Sequence, residues 1–281
     1  MKNISILACC CLLFACDGFV PKKEVYAPDY ATEVNVFGMI CYGGDDEFVV
    51  VERTMHVNEV DEWDINRTPN LIIDNAIVQI IGASDTVTFD FYCKPIDSHF
   101  RPDDYDYKGI YLDRRDEFQA QPGVSYELRV TVPGIGKLAA TTQVPVRPSI
   151  IQPQTDTHIM RSAVKQATVS WTENSSIAAY LLNFVITNKR NPADRFNIIT
   201  EELEYNSPAR LTNVDDYYLT EQADLYSNNA VIKILAVDRN LYDYALKGSI
   251  ALETGEDFRL VDGGRGVFGS YSVDSVNVVL D

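Results

Sequence analysis

Polar and apolar residues alternate along most of this chain from residue 33 onward. Glu33-Val-Asn-Val-Phe-Gly-Met-Ile40 switches character at almost every step, and Phe48 to Arg53, Ala76 to Ile81 and Thr86-Val-Thr-Phe-Asp-Phe91 do the same. The clearest case is Ser125-Tyr-Glu-Leu-Arg-Val-Thr-Val132, where Tyr126, Leu128, Val130 and Val132 share one face. A period of two predicts half-buried strands, because successive side chains of an extended backbone point to opposite faces. Gly134-Ile135-Gly136 predicts a tight reversal into a partner strand from Lys137 to Val144. Gln121-Pro122-Gly123 predicts a turn just before the Ser125 strand.

Pro145, Pro148 and Pro153 interrupt the pattern. Proline cannot donate to a ladder and holds its neighbour extended, so this stretch marks the expected domain boundary. Beyond it come Ala167-Thr-Val-Ser-Trp171, Tyr180 to Thr187 and Ala230-Val-Ile-Lys-Ile-Leu-Ala-Val237, all strand-like. Leu241 to Gly248 reads as one or two helical turns, and Ser270 to Val279 as an alternating closing strand. Many short strands without strand–helix alternation predict an all-β chain of two antiparallel β-sandwich domains. The expected organisation is 1–15 signal peptide, 16–30 tether, 31–148 first sandwich, and 149–281 second sandwich with a C-terminal extension.

The first sixteen residues bear on compartment. Met1-Lys2-Asn3 precedes an apolar run from Ile4 to Ala15, long enough for a signal segment and too short to span a bilayer. It ends Leu13-Phe14-Ala15-Cys16, the lipobox pattern of bacterial lipoproteins. Cleavage would leave Cys16 at the mature N-terminus carrying acyl chains, each buried methylene contributing about 0.8 kcal/mol to membrane attachment. Cys9, Cys10 and Cys11 would leave with the signal segment. Of the 6 cysteines, Cys41 and Cys93 then remain. An oxidising envelope permits a bridge between them, and two small buried hydrophobes is the other reading.

Composition removes several function classes. The 281 residues carry 41 acidic and 24 basic side chains, a formal charge of −17. Nucleic-acid backbones and anionic lipid surfaces recruit basic patches, so neither is an expected partner. Only 3 histidines occur, and His56, His99 and His158 lie far apart, so no metal or cofactor is expected. A Gly-x-Ser-x-Gly elbow is absent, and no catalytic residue is assigned. Gly263-Gly-Arg-Gly266 precedes a strand rather than a helix, which speaks for positive φ or a bulge before that strand and against a phosphate loop. Acidic loops occur at Asp45-Asp46-Glu47, at Asp215-Asp216 and at Asp103, Asp104, Tyr105, Asp106 and Tyr107. A run of charge is usually a solvated loop. The Asp103–Tyr107 loop is the candidate ligand site, because its carboxylates supply charge and its Tyr rings can stack on a sugar or peptide.

Two resemblances add to this. Thr168-Val-Ser-Trp171, Tyr180 and Val231 to Asp238 look like the B, C and F strands of a fibronectin type III domain, which implies a core role for Trp171; the first sandwich is expected to be immunoglobulin- or transthyretin-like. The order of the whole chain is also distinctive. The lipobox is followed by a strand ending Gly38-Met-Ile40, then Asn75-Ala-Ile-Val-Gln-Ile80, Tyr107-Lys-Gly-Ile-Tyr111, Pro122-Gly-Val-Ser-Tyr-Glu-Leu128, Gly136 to Thr142, and a close on Gly263 to Tyr271. This order resembles Bacteroidota envelope lipoproteins catalogued as a domain of unknown function (family 4249). The resemblance implies a non-enzymatic outer-membrane lipoprotein, an accessory or ligand-presenting partner of a TonB-dependent transport complex, with the membrane face undecided. The alternative is a surface adhesive or pilus-type subunit.

Overall fold

The computed structural model describes residues 32–44, 47–54, 71–83, 85–92, 109–189, 195–204, 207–211, 214, 217–221, 223–254 and 259–281. Among these residues the first half supplies Val34–Tyr42 (β1), Phe48–Arg53 (β2), Ile77–Ile81 (β3), Thr86–Tyr92 (β4), Ile110–Leu112 (β5), Ser125–Val132 (β6) and Gly136–Gln143 (β7). The second half supplies Ile150–Gln152 (β8), Thr157–Ile159 (β9), Thr168–Trp171 (β10), Ala179–Asn188 (β11), Arg195–Glu204 (β12), Ala209–Arg210 (β13), Tyr226–Val237 (β14) and Arg265–Leu280 (β15). One α-helix, Arg239–Thr254 (α1), joins β14 to β15.

The protein is mostly β, with one large mixed sheet and one small sheet. The large sheet runs β12-β11-β14-β15-β1-β2-β5-β4-β3-β6-β7, with β9 added alongside β15, and the small one runs β13-β10-β8. Alternation becomes burial as expected: Tyr126, Leu128, Val130 and Val132 are all buried on one face of β6. The β6–β7 hairpin turns at Gly134, whose φ is +76°. Most ladders are antiparallel, but β1 pairs with β15 in parallel, from Asn35↔Arg265 to Tyr42↔Ser272. A parallel pair cannot be joined by a hairpin, and here nearly the whole chain is the connection.

Two apolar cores lie side by side. The first gathers Val36, Ile40, Val49, Val78, Phe89, Tyr111 and Leu128; the second gathers Trp171, Leu182, Phe184, Ile186, Ile232 and Ile234. The long strand β15 serves both, with Phe268 in the first and Val276, Val278 and Leu280 in the second. Trp171 is 2% exposed and packs against Tyr180 at a ring separation of 5.6 Å, so it is a core residue.

Two elements depart from expectation. The segment read as one or two helical turns is a 16-residue helix whose start, at Leu241, lies against β15. The glycine run does not stop short of the final strand either; Gly266 and Gly269 sit within it. Gly266 has φ +106°, and a Cβ there would run into the carbonyl oxygen of Val36, so glycine is what lets β15 close on β1. A Cβ on Gly269 would meet the Leu241 side chain, so this glycine lets α1 settle onto the strand.

Candidate functional site

The Asp103–Tyr107 loop, with Asp103, Asp104, Tyr105, Asp106 and Tyr107, lies outside the described residues, as do Cys16, Cys93, Asp45, Asp46, Asp215 and Asp216. Of the expected cysteine pair, Cys41 alone is placed. It is 2% exposed, in a small cluster with Tyr271 and Val273. Cys41 also lines a cleft of about 520 Å³, where several carboxyls gather.

Three segments build the cleft. The end of β1 and the turn after it bring Tyr42, Gly43, Gly44 and Glu47. The end of β5 leads into a turn carrying Asp113 and Asp116. The run from Phe118 to Gln121 forms the far wall. The turn is organised by Asp113, whose Oδ1 accepts from the Arg115 N–H at 3.1 Å and whose Oδ2 accepts from the Phe118 N–H at 2.5 Å. An aspartate side chain bonded to backbone N–H groups just ahead is a common way to fix a short loop. Asp116 sits at φ +57°, a left-handed conformation that Asp tolerates better than most residues. Behind the wall, Phe118 stacks edge-on to Tyr126 at 5.3 Å and to Phe89 at 5.9 Å. The Tyr126 hydroxyl accepts from the Gln121 N–H at 2.9 Å. The wall is therefore anchored in the first core.

Glu47 is the distinctive group. Burial pushes its carboxyl up to about 7, with the negative charges of Asp113 and Asp116 adding to the push and a backbone hydrogen bond from Ala120 opposing it. A carboxylate taken out of water favours its neutral form unless donors replace the lost solvent. Here the neighbouring charges are negative, and no Lys, Arg or His lines the cleft among the described residues. Arg115 turns toward Asp90 and Glu117, each at 3.8 Å on the exposed surface. Arg147 lies over the Tyr42 ring at 6.0 Å but is committed to Asp274 at 2.5 Å. Glu47 can thus hold a proton near neutrality and release it to favour an incoming donor or cation. In the sequence Glu47 closes an acidic run of the kind usually solvated. The available signal was the apolar Phe48 beside it and the Gly43-Gly44 pair before it, which turn the chain back over the core.

A second cavity, about 510 Å³, lies between β7 and the start of α1, lined by Thr142, Asp238, Arg239 and Asn240 among others. Its carboxyl, Asp238, is 7% exposed. Burial pushes Asp238 up as well, but the Thr142 hydroxyl and the backbone N–H groups of Leu241, Ser270 and Asn240 pull the other way. No cluster of three or more His, Cys, Asp or Glu able to hold a metal ion occurs among the described residues. Nor is any helix among them long and apolar enough to cross a membrane.

A family model described as Domain of unknown function (DUF4249) matches residues 24–276. No curated protein matches the chain. Among solved structures, the crystal structure of chicken CNTN1 FN1-FN3 domains is similar at 15% identity, covering 76% of this chain and 63% of that one, with a TM-score of 0.20.

Proposed function

We propose a function from one premise: the chain belongs to the family described as Domain of unknown function (DUF4249). In this reading the protein is a non-enzymatic lipoprotein of the outer membrane, held by acyl chains on Cys16. It acts as an accessory or ligand-presenting partner of a TonB-dependent transport complex. The observation that carries the reading is Leu13-Phe14-Ala15-Cys16 at the end of an apolar run, ahead of a β body. Glu33, at the start of that body, is paired with Arg259 at 3.0 Å and with Arg265. The Glu47 cleft supplies the presenting surface, since its raised carboxyl faces two further acids rather than the hydrogen-bond donors that fill the Asp238 carboxyl of the second cavity.

Detergent phase separation tests the anchor: wild type should follow the lipid phase and Cys16→Ser the aqueous one. Cross-linked pull-down from native outer membranes tests the partner, with a transporter component expected in the eluate. An unmodified Cys16 in the mass spectrum would overturn the anchor, and repeated recovery without any transporter component would overturn the partnership.

A further inference from the structure

β7 ends the large sheet, yet its free edge comes back against the region that opens β15. Among the described residues the two are joined by one two-way bridge, in which the Ala139 N–H donates to the Asp262 oxygen at 3.1 Å and the Asp262 N–H donates to the Ala139 oxygen at 2.8 Å. In an antiparallel strand alternate residues point both backbone groups to the same side. The next outward residue along β7 is therefore Thr141. Its carbonyl is met by a side chain: Asn240 Nδ2 donates to the Thr141 oxygen at 2.7 Å and to the Phe268 oxygen of β15 at 2.8 Å. One amide thus stands where a ladder between β7 and β15 would otherwise continue.

Asp238, just before α1, ties the same three elements from the inside. Thr142 Oγ1 of β7 donates to Asp238 Oδ2 at 2.5 Å and lies 2.7 Å from Ser270 Oγ of β15. Asp238 Oδ1 accepts from the Leu241 N–H at 2.9 Å, the side-chain bond of a helix N-cap. Thr142, Asp238 and Ser270 are 4%, 7% and 0% exposed, so these bonds are shielded from water. The 510 Å³ cavity runs beside them.

We propose that the start of α1 is a clasp, with Asn240 and Asp238 as its two hooks, that closes the first half of the molecule along the β7–β15 seam and can release independently of the second core. A seam held by one backbone bridge and a few side-chain bonds next to a cavity opens at lower free energy than a continuous ladder packed in apolar side chains. Closed, the clasp also masks the outward backbone groups of β7, which an open edge would offer to any extended segment. This inference does not depend on the Glu47 cleft or on the lipid anchor.

Hydrogen exchange followed by mass spectrometry on the full chain tests it. In Asn240→Ala, peptides covering 136–143 and 262–270 should exchange about tenfold faster or more, while those covering 179–188 and 226–237 stay within about twofold of wild type. Thr142→Val should give the same pattern more weakly, and it serves as the test if the Asn240 variant does not fold. Unchanged exchange along the seam would overturn the proposal, and so would equal acceleration through both cores.

Discussion

Glu47 and Asp238 are both carboxyls taken out of bulk water, and burial pushes both upward. They differ in what replaces the solvent. Asp238 is met by a threonine hydroxyl and by backbone N–H groups at the start of a helix, where the macrodipole favours negative charge. Glu47 has a backbone donor from Ala120 but faces Asp113 and Asp116. The lesson is about which buried acids merit suspicion. A carboxyl whose oxygens are filled by the fold is part of the fold; one left short of donors, beside like charges and open to a cleft, is available to something from outside.

That contrast can be broken most easily at Asp238. Replacing it with Ala removes the N-cap and takes away the carboxylate that accepts from the buried Thr142 hydroxyl, so denaturant unfolding should show a loss of about 3 kcal/mol. Glu47→Gln should act in the opposite direction. A carboxyl whose folded pKa is raised supports the fold fully below its ordinary value of 4.5, and that support is lost as pH rises through about 7. Wild type should therefore lose stability between pH 4.5 and 7, and Glu47→Gln should flatten that slope. At pH 8 the variant should be the more stable by about 1–2 kcal/mol, a figure already reduced for the solvent that reaches a half-buried group. A Glu47→Gln variant as damaged as Asp238→Ala would erase the distinction. A smaller loss than at Asp238 is expected from Thr142→Val, which keeps the shape but drops the two buried hydrogen bonds of the Thr142 hydroxyl, costing about 1–2 kcal/mol in the same assay.

Much of the scaffold was legible because alternation is a local signal. Phe48–Arg53 and Ser125–Val132 appear where the pattern predicts them, since one face of each is covered by the first core. What stayed hidden was long-range. The pairing of β1 with β15 in parallel depends on glycines that accept close backbone approach, and nothing near Val36 announces that Gly266 will lie against it. Asp238 looked like the end of a strand, although an Asp directly before Arg-Asn-Leu-Tyr is also an N-cap signal. Glu47 looked like surface charge because composition counts carboxylates without knowing which of them a fold will turn inward.

The most direct test is a ¹³C NMR titration of the Glu47 side-chain carboxyl in the intact protein, read at its Cδ. A midpoint near 7 is the result this account predicts. A midpoint at the ordinary glutamate value would mean that the cleft leaves this acid fully solvated, and the candidate site would lose the property that singles it out.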